Sequence, residues 1–196
     1  MTRHLTLLCA LALAACGSTS GRGERPAKAL TTEEEASEMA ALATAGSPLL
    51  DQRLPSTDFV LFDQEGFPFP LAEQEGSWLV LHFFPESDTP DCACDATAFT
   101  GHLWRFNDMD AEVACVTSAP RDRTLRYAKK YGLQSPLLSD VDLAVASAYG
   151  AVSASGELVR TTFLLDPELR IAARWDDVKS NEHVEDILET LAVVRK

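Results

Sequence analysis

Apolar positions fall into short runs and stripes whose spacing predicts alternating strands and helices. Phe59-Val60-Leu61-Phe62 followed by Asp63-Gln64-Glu65-Gly66 reads as a strand and a turn, and Phe67 to Leu71, with its prolines, as a short edge strand. Trp78 to Phe84 is a continuous apolar run between Gly76-Ser77 and Pro85, the pattern of a central strand covered on both sides. From Pro90 to about Asn107 the pattern turns helical: Cys92, Ala96, Phe99, Leu103 and Phe106 recur at spacings of three and four and form one stripe. Glu112 to Thr117 is a further buried strand, and Pro120 to Tyr131 an amphipathic helix stopped by Gly132. Leu137 to Asp140 reads as a short strand or turn, and Val141 to Tyr149 as a short helix stopped by Gly150. Arg160–Leu165 and Leu169–Trp175 form a hairpin around Asp166-Pro167-Glu168, and Asn181 to Val194 a closing helix. The order β-β-β-α-β-α-α-β-β-α predicts an α/β fold, a mixed central sheet with helices on both faces.

The chemistry concentrates where the central apolar run ends. After Pro85, Thr89-Pro90-Asp91 announces a helix start, since Thr is a good N-cap and Pro is favoured at the first helical position. With Thr89 as N-cap, Cys92 is the third helical residue, where free backbone N–H groups and the helix dipole favour an anion. A thiolate is such an anion, so the position favours a reactive cysteine over an inert one. Cys94 lies about 200° further round a helix of 3.6 residues per turn and faces elsewhere. Cys115 falls in a buried strand and is expected to be inert.

Composition narrows the partners. A formal charge of −13 argues against nucleic acid, whose phosphates need Lys and Arg. Five irregularly spaced cysteines do not make a disulfide framework, and the absence of Cys-x-x-Cys argues against a thioredoxin-type oxidoreductase and a zinc knuckle. The N-terminus carries a different signal. Arg3 and His4 precede the apolar stretch Leu5–Ala15, which is too short to span a bilayer. It ends in Leu13-Ala14-Ala15-Cys16-Gly17-Ser18, which resembles the bacterial lipobox and implies lipidation of Cys16. Residues 1–15 then form a lipoprotein signal peptide, residues 16–48 a lipid-anchored flexible or semi-helical tether, and residues 49–196 the folded domain. The expected location is the bacterial cell envelope, on the periplasmic side. Gly17, in place of Asp, favours the outer membrane.

Four ordered motifs resemble the peroxiredoxin family, most closely its bacterioferritin comigratory protein or peroxiredoxin Q branch. They are Pro85-x-x-x-Thr89-x-x-Cys92; Tyr127-Ala128-Lys129-Lys130-Tyr131-Gly132-Leu133 with Pro136-Leu137-Leu138-Ser139-Asp140; Ala148-Tyr149-Gly150; and Arg160-Thr161-Thr162-Phe163-Leu164-Leu165-Asp166. The resemblance spans about Leu54 to Leu191. It implies a thioredoxin-like fold and thiol-dependent reduction of hydrogen peroxide or organic hydroperoxides, with an external thiol as reductant and no metal or organic cofactor. By position, Cys92 matches the peroxidatic cysteine, Thr89 the hydroxyl that bonds peroxide and thiolate, Pro85 the residue that shields the pocket and Arg160 the strand arginine beside the thiolate. Elementary chemistry supports these roles: a guanidinium is always charged and steadies thiolate and developing oxyanion, while a hydroxyl both donates and accepts.

The sequence departs from that branch at one point. A resolving cysteine often lies five residues after the peroxidatic one, and Thr97 stands there. Two routes stay open: an outside thiol reduces the sulfenic acid, or Cys94 resolves it after the first helical turn unwinds, since their Cβ atoms point apart in an intact helix. Asp91 and Asp95 favour the helix start but raise a nearby thiol pKa, so Arg160 has to outweigh them. A reading of another class is a lipid-anchored, thioredoxin-fold copper-binding or chaperone module using Cys92 and Cys94 with His82, His102 or His183. Such chaperones resemble a Cys-x-x-x-Cys pattern that this chain lacks. A binding domain without turnover is a third.

Overall fold

The computed structural model describes residues 49–85, 90–176 and 182–195. Its centre is the predicted apolar run, now strand β4 (Trp78–Phe83), buried along its whole length. Parallel to it lies β5 (Ala111–Thr117), and antiparallel to it on the other side lies β7 (Thr161–Leu165). The remaining strands are β1 (Leu49–Pro55), β2 (Val60–Phe62), β3 (Pro68–Pro70), β6 (Leu137–Ser139) and β8 (Arg170–Asp176). Together they form one eight-stranded mixed sheet in the order β1-β8-β7-β4-β5-β6-β2-β3. The proline-bearing β3 is at an edge, as a strand lacking ladder donors must be.

The pleat of β4 divides the core in two. Val80, with Phe84 just beyond the strand, faces one layer, which is completed by Phe99 and Phe106 of α1 (Pro90–Asn107), Tyr127 of α2 (Arg121–Tyr131), and Val184, Ile187 and Leu191 of α4 (His183–Val194). Leu79, Leu81 and Phe83 face the other, with Phe163, Tyr149 and Ala146 of the short α3 (Ala144–Ala148). Each such side chain fully buried contributes about 1.5–3 kcal/mol. The helical stripe expected for α1 holds where side chains are described: Phe99 and Phe106 are buried and Leu103 is half-buried. Gly132, in the left-handed region at φ 66°, closes α2 as expected.

Two elements differ from expectation. The strand β1, pairing antiparallel with β8, was not foreseen. Leu49-Leu50-Asp51-Gln52-Arg53-Leu54 has no period-two alternation, and the unfilled edge of β8 recruits it rather than its own pattern. Helix α3 is shorter than Val141–Tyr149: Leu143 sits in the left-handed region at φ 59°, and the Asp140 carboxylate accepts from the Val145 and Ala146 N–H groups at 3.3 and 2.8 Å. The helix therefore starts only after that turn. No helix among the described residues is long and apolar enough to cross a membrane.

Candidate active site

The site lies at the C-terminal end of β4. Phe84 is buried and Pro85 half-buried. Helix α1 then begins at Pro90, so Cys92 is its third residue and Cys94 its fifth, where the sequence placed them. Thr89 and the side chains of Cys92 and Cys94 lie outside the described residues, as do Cys16 and the rest of residues 1–48. A helix start leaves backbone N–H groups free, and α1 starts at Pro90.

Arg160 reaches the same place from the neighbouring strand. The antiparallel register pairs His82 with Thr162 and Phe83 with Thr161, so Arg160 comes level with Phe84, one residue before Pro85. Side chains alternate along a strand, which puts Arg160, Thr162, His82 and Phe84 on the α1-covered face. The half-buried guanidinium lies near enough to His82 to disfavour its protonation. The register thus sets Arg160 level with the end of β4, one residue before Pro85, and the Cys92 helix follows in the chain from Pro90. A fixed cation and a helix N-terminus each favour an anion.

Beneath it lies an arrangement that sequence reasoning missed. The Thr162 hydroxyl joins two buried imidazoles: His82 Nδ1 to Thr162 Oγ1 is 2.8 Å, and Thr162 Oγ1 to His183 Nε2 is 2.7 Å. His82 is wholly buried and its Nε2 has no hydrogen-bond partner among the described residues. Its ring stacks on Phe84 at 5.6 Å and lies 5.0 Å from Phe99, while Trp175 meets His183 edge-on at 5.8 Å. The expected strand and helix placements of His82 and His183 hold, but as partners of Thr162. His102 is held apart from them, its Nδ1 on Ala98 O at 2.8 Å and its Nε2 3.6 Å from Glu185. Cys115 is buried in β5, as expected of an inert core thiol.

Burial, then the neighbouring His183 and Arg160, pushes His82 down to about 3; burial pushes His183 down to about 4. Both titrate below the ordinary imidazole value of 6.5, so on acidification the unfolded chain takes up protons first. The stability they contribute is complete above pH 6.5, drains as the pH falls from 6.5 toward their folded values near 4 and 3, and levels off below those. Urea titrations are expected to show roughly 3 kcal/mol less stability at about pH 5 than at about pH 7. His183→Asn should remove about half of that dependence; an unchanged slope would mean that the folded imidazoles titrate normally.

Comparison with known proteins follows this geometry. The AhpC/TSA family model matches residues 51–174. Peroxiredoxin Bcp of Bacillus subtilis is 28% identical over 149 residues, covering 72% of this chain and 94% of that protein. A putative peroxiredoxin bcp of Coxiella burnetii is 30% identical over 140 residues, covering 68% of this chain and 93% of that protein. Among solved structures, the bacterioferritin comigratory protein of Xanthomonas campestris, studied for alkyl peroxide reduction, superposes with a TM-score of 0.67 at 28% identity, covering 70% of this chain and 92% of that one.

Proposed function

Because this chain belongs to the AhpC/TSA family and is a peroxiredoxin, a thiol-dependent peroxidase with a thioredoxin-like fold, we propose that Cys92 is its peroxidatic cysteine and that it works in the bacterial envelope. The observation that carries the assignment is the β4–β7 register, which brings Arg160 to the strand end from which the chain leads into the Cys92 helix.

The reaction needs little else. The Cys92 thiolate attacks one peroxide oxygen; an S–O bond forms as the O–O bond breaks. The sulfenic acid remains on Cys92, and the leaving oxygen takes a proton to depart as water or alcohol. Helix N–H groups and Arg160 stabilise the thiolate before attack and the oxyanion during it. Thr89 orients the peroxide through its hydroxyl, and Pro85 keeps water from the pocket. Hydrogen peroxide or an organic hydroperoxide is the substrate; the alkyl peroxide reduction studied in the Xanthomonas campestris relative supports the second class. An external thiol then reduces the sulfenic acid in a one-cysteine cycle, Cys94 being the alternative resolving group.

The lipobox-like Leu13-Ala14-Ala15-Cys16 supports anchoring through Cys16 once residues 1–15 are removed. Several acyl chains give firm attachment where one is marginal. Residues 16–48, as a coil of ~30 residues, reach about 30 Å and hold the domain 49–196 off the membrane, with the outer membrane favoured.

One mass-spectrometric experiment tests both parts. Protein purified from bacterial membranes and mixed with limiting hydrogen peroxide is expected to carry a sulfenic acid on Cys92, trapped by dimedone. Its N-terminal peptide should begin at a lipid-modified Cys16. A Cys92 that stays a thiol while peroxide is present sinks the catalytic assignment, and an unmodified Cys16 sinks the anchor.

A further inference from the structure

We propose that the His82–Thr162–His183 hydrogen-bonded chain is a positioning device that holds Arg160 in register with the Cys92 helix. The proposal rests on the assignment of Cys92 and Arg160 above and adds a second set of residues to it.

Three elements meet in the chain. His82 belongs to β4, Thr162 to β7 and His183 to the first turn of α4. Thr162 lies two residues beyond Arg160 on the same face of β7, and the directly paired His82 lies three residues before Pro85. The His82–Thr162 pair therefore sits one same-face pair below the level of Phe84 and Arg160. The 2.8 Å link limits how far β7 can slide against β4, and the 2.7 Å link ties β7 to α4.

The two imidazoles also pack against the Cys92 helix. Phe99 packs its ring 5.0 Å from His82 and 6.3 Å from His183, the latter edge-on. Seven residues separate Phe99 from Cys92, two turns of helix, so both fall on one side of α1. Two residues after His183, Glu185 pairs with Arg105 and lies 3.6 Å from His102, both on α1. The start of α4 thus holds β7 through His183 and α1 through Glu185 and Phe99. Arg160 immediately precedes the first of these elements, and Cys92 belongs to the second.

The chemistry of the chain makes it demanding. One hydroxyl proton serves two imidazoles, so Thr162 donates to one and accepts from the other. Both rings are buried, and the groups around them are Phe84, Phe99 and Trp175. Deleting the hydroxyl leaves two buried ring nitrogens unsatisfied at once, an arrangement that folded proteins avoid by shifting backbone or admitting water. Arg160 immediately precedes β7 and lies two residues from Thr162, so a shift of that strand end moves it.

The test reads the Cys92 thiol directly, as the rate of Cys92 alkylation by iodoacetamide against pH in the full chain, followed by peptide mass spectrometry. Thr162→Val keeps the shape and removes the hydroxyl. It is expected to move the thiol pKa up by about one unit, a fall of about tenfold in alkylation rate at low pH. Thr162→Ser should restore the wild-type profile. Val113→Ala, which loosens the same core layer from β5 without touching the chain, should leave the profile in place. In an Arg160→Ala background, Thr162→Val should add little, since a device acting through Arg160 has nothing left to position. Should Thr162→Val fail to fold, His183→Phe removes the second link while keeping a ring, and the same shift is expected. The proposal is overturned if the hydroxyl deletion leaves the profile unmoved, if Val113→Ala moves it equally, or if the Thr162 and Arg160 effects add. A wild-type Cys92 that is not oxidised by peroxide, while its alkylation profile still depends on Thr162, would count against the peroxidase assignment instead.

Discussion

Cys92→Ser is expected to abolish peroxide consumption, with a loss on the order of 10⁴-fold or more, the scale seen when an enzyme loses its nucleophile. The hydroxyl of serine does not ionise near neutral pH, so on the proposed assignment neither the helix start nor Arg160 has an anion to stabilise. Cys115 cannot take over, because it is 1% exposed and lies inside β5. Peroxide decay followed with an external dithiol checks this directly. Cys94→Ser serves as the partner measurement: it is expected to keep turnover when the dithiol is supplied. Residual consumption by Cys92→Ser near the wild-type rate would place the chemistry elsewhere, and total loss in Cys94→Ser would make Cys94 the resolving group.

What the sequence made legible follows from how locally each feature is encoded. The run Trp78–Phe84 has no polar face, so only a strand covered on both sides accommodates it, and β4 is that strand. Thr89-Pro90 marks a helix start by its own residues, and α1 begins at Pro90. The Arg160–Leu165 segment and its turn at Asp166 are equally local, and β7 and β8 follow. β1 was not legible because its pairing is decided by the free edge of β8. The Thr162 chain was hidden for the same reason in sharper form. His82 and Thr162 are 80 residues apart, and no residue near either one announces that β4 and β7 are antiparallel with those two in register. The available signal was the pair of buried-looking polar residues inside otherwise apolar runs, His82 in Leu79–Phe84 and Thr162 in Thr161–Leu165. A buried polar group asks for a partner, and these two are each other's.

That polar layer gives Arg160 its setting and makes its removal informative. Arg160→Ala is expected to slow oxidation of Cys92 by about 10²–10³-fold, the range found when a preorganised donor to a developing oxyanion is deleted. The helix start alone cannot compensate: a charge at a helix N-terminus gains about 0.3–1 kcal/mol when exposed, or a two- to fivefold effect. Asp91 and Asp95 work against the thiolate from within α1, so the guanidinium has to offset them as well. Rapid-mixing measurements of Cys92 oxidation across pH separate two contributions. If Arg160 only lowers the thiol pKa, the defect closes at high pH, where the thiol ionises unaided. If it also binds the leaving oxygen, a defect persists there, and Arg160→Lys should recover only part of it, since an ammonium supplies charge without the planar fork. The expectation is that a defect of at least about tenfold persists at high pH, because two donors on one rigid fork can meet thiolate and oxyanion together. Oxidation within about threefold of the wild-type rate at every pH would remove Arg160 from the chemistry, since even the helix start is worth that much.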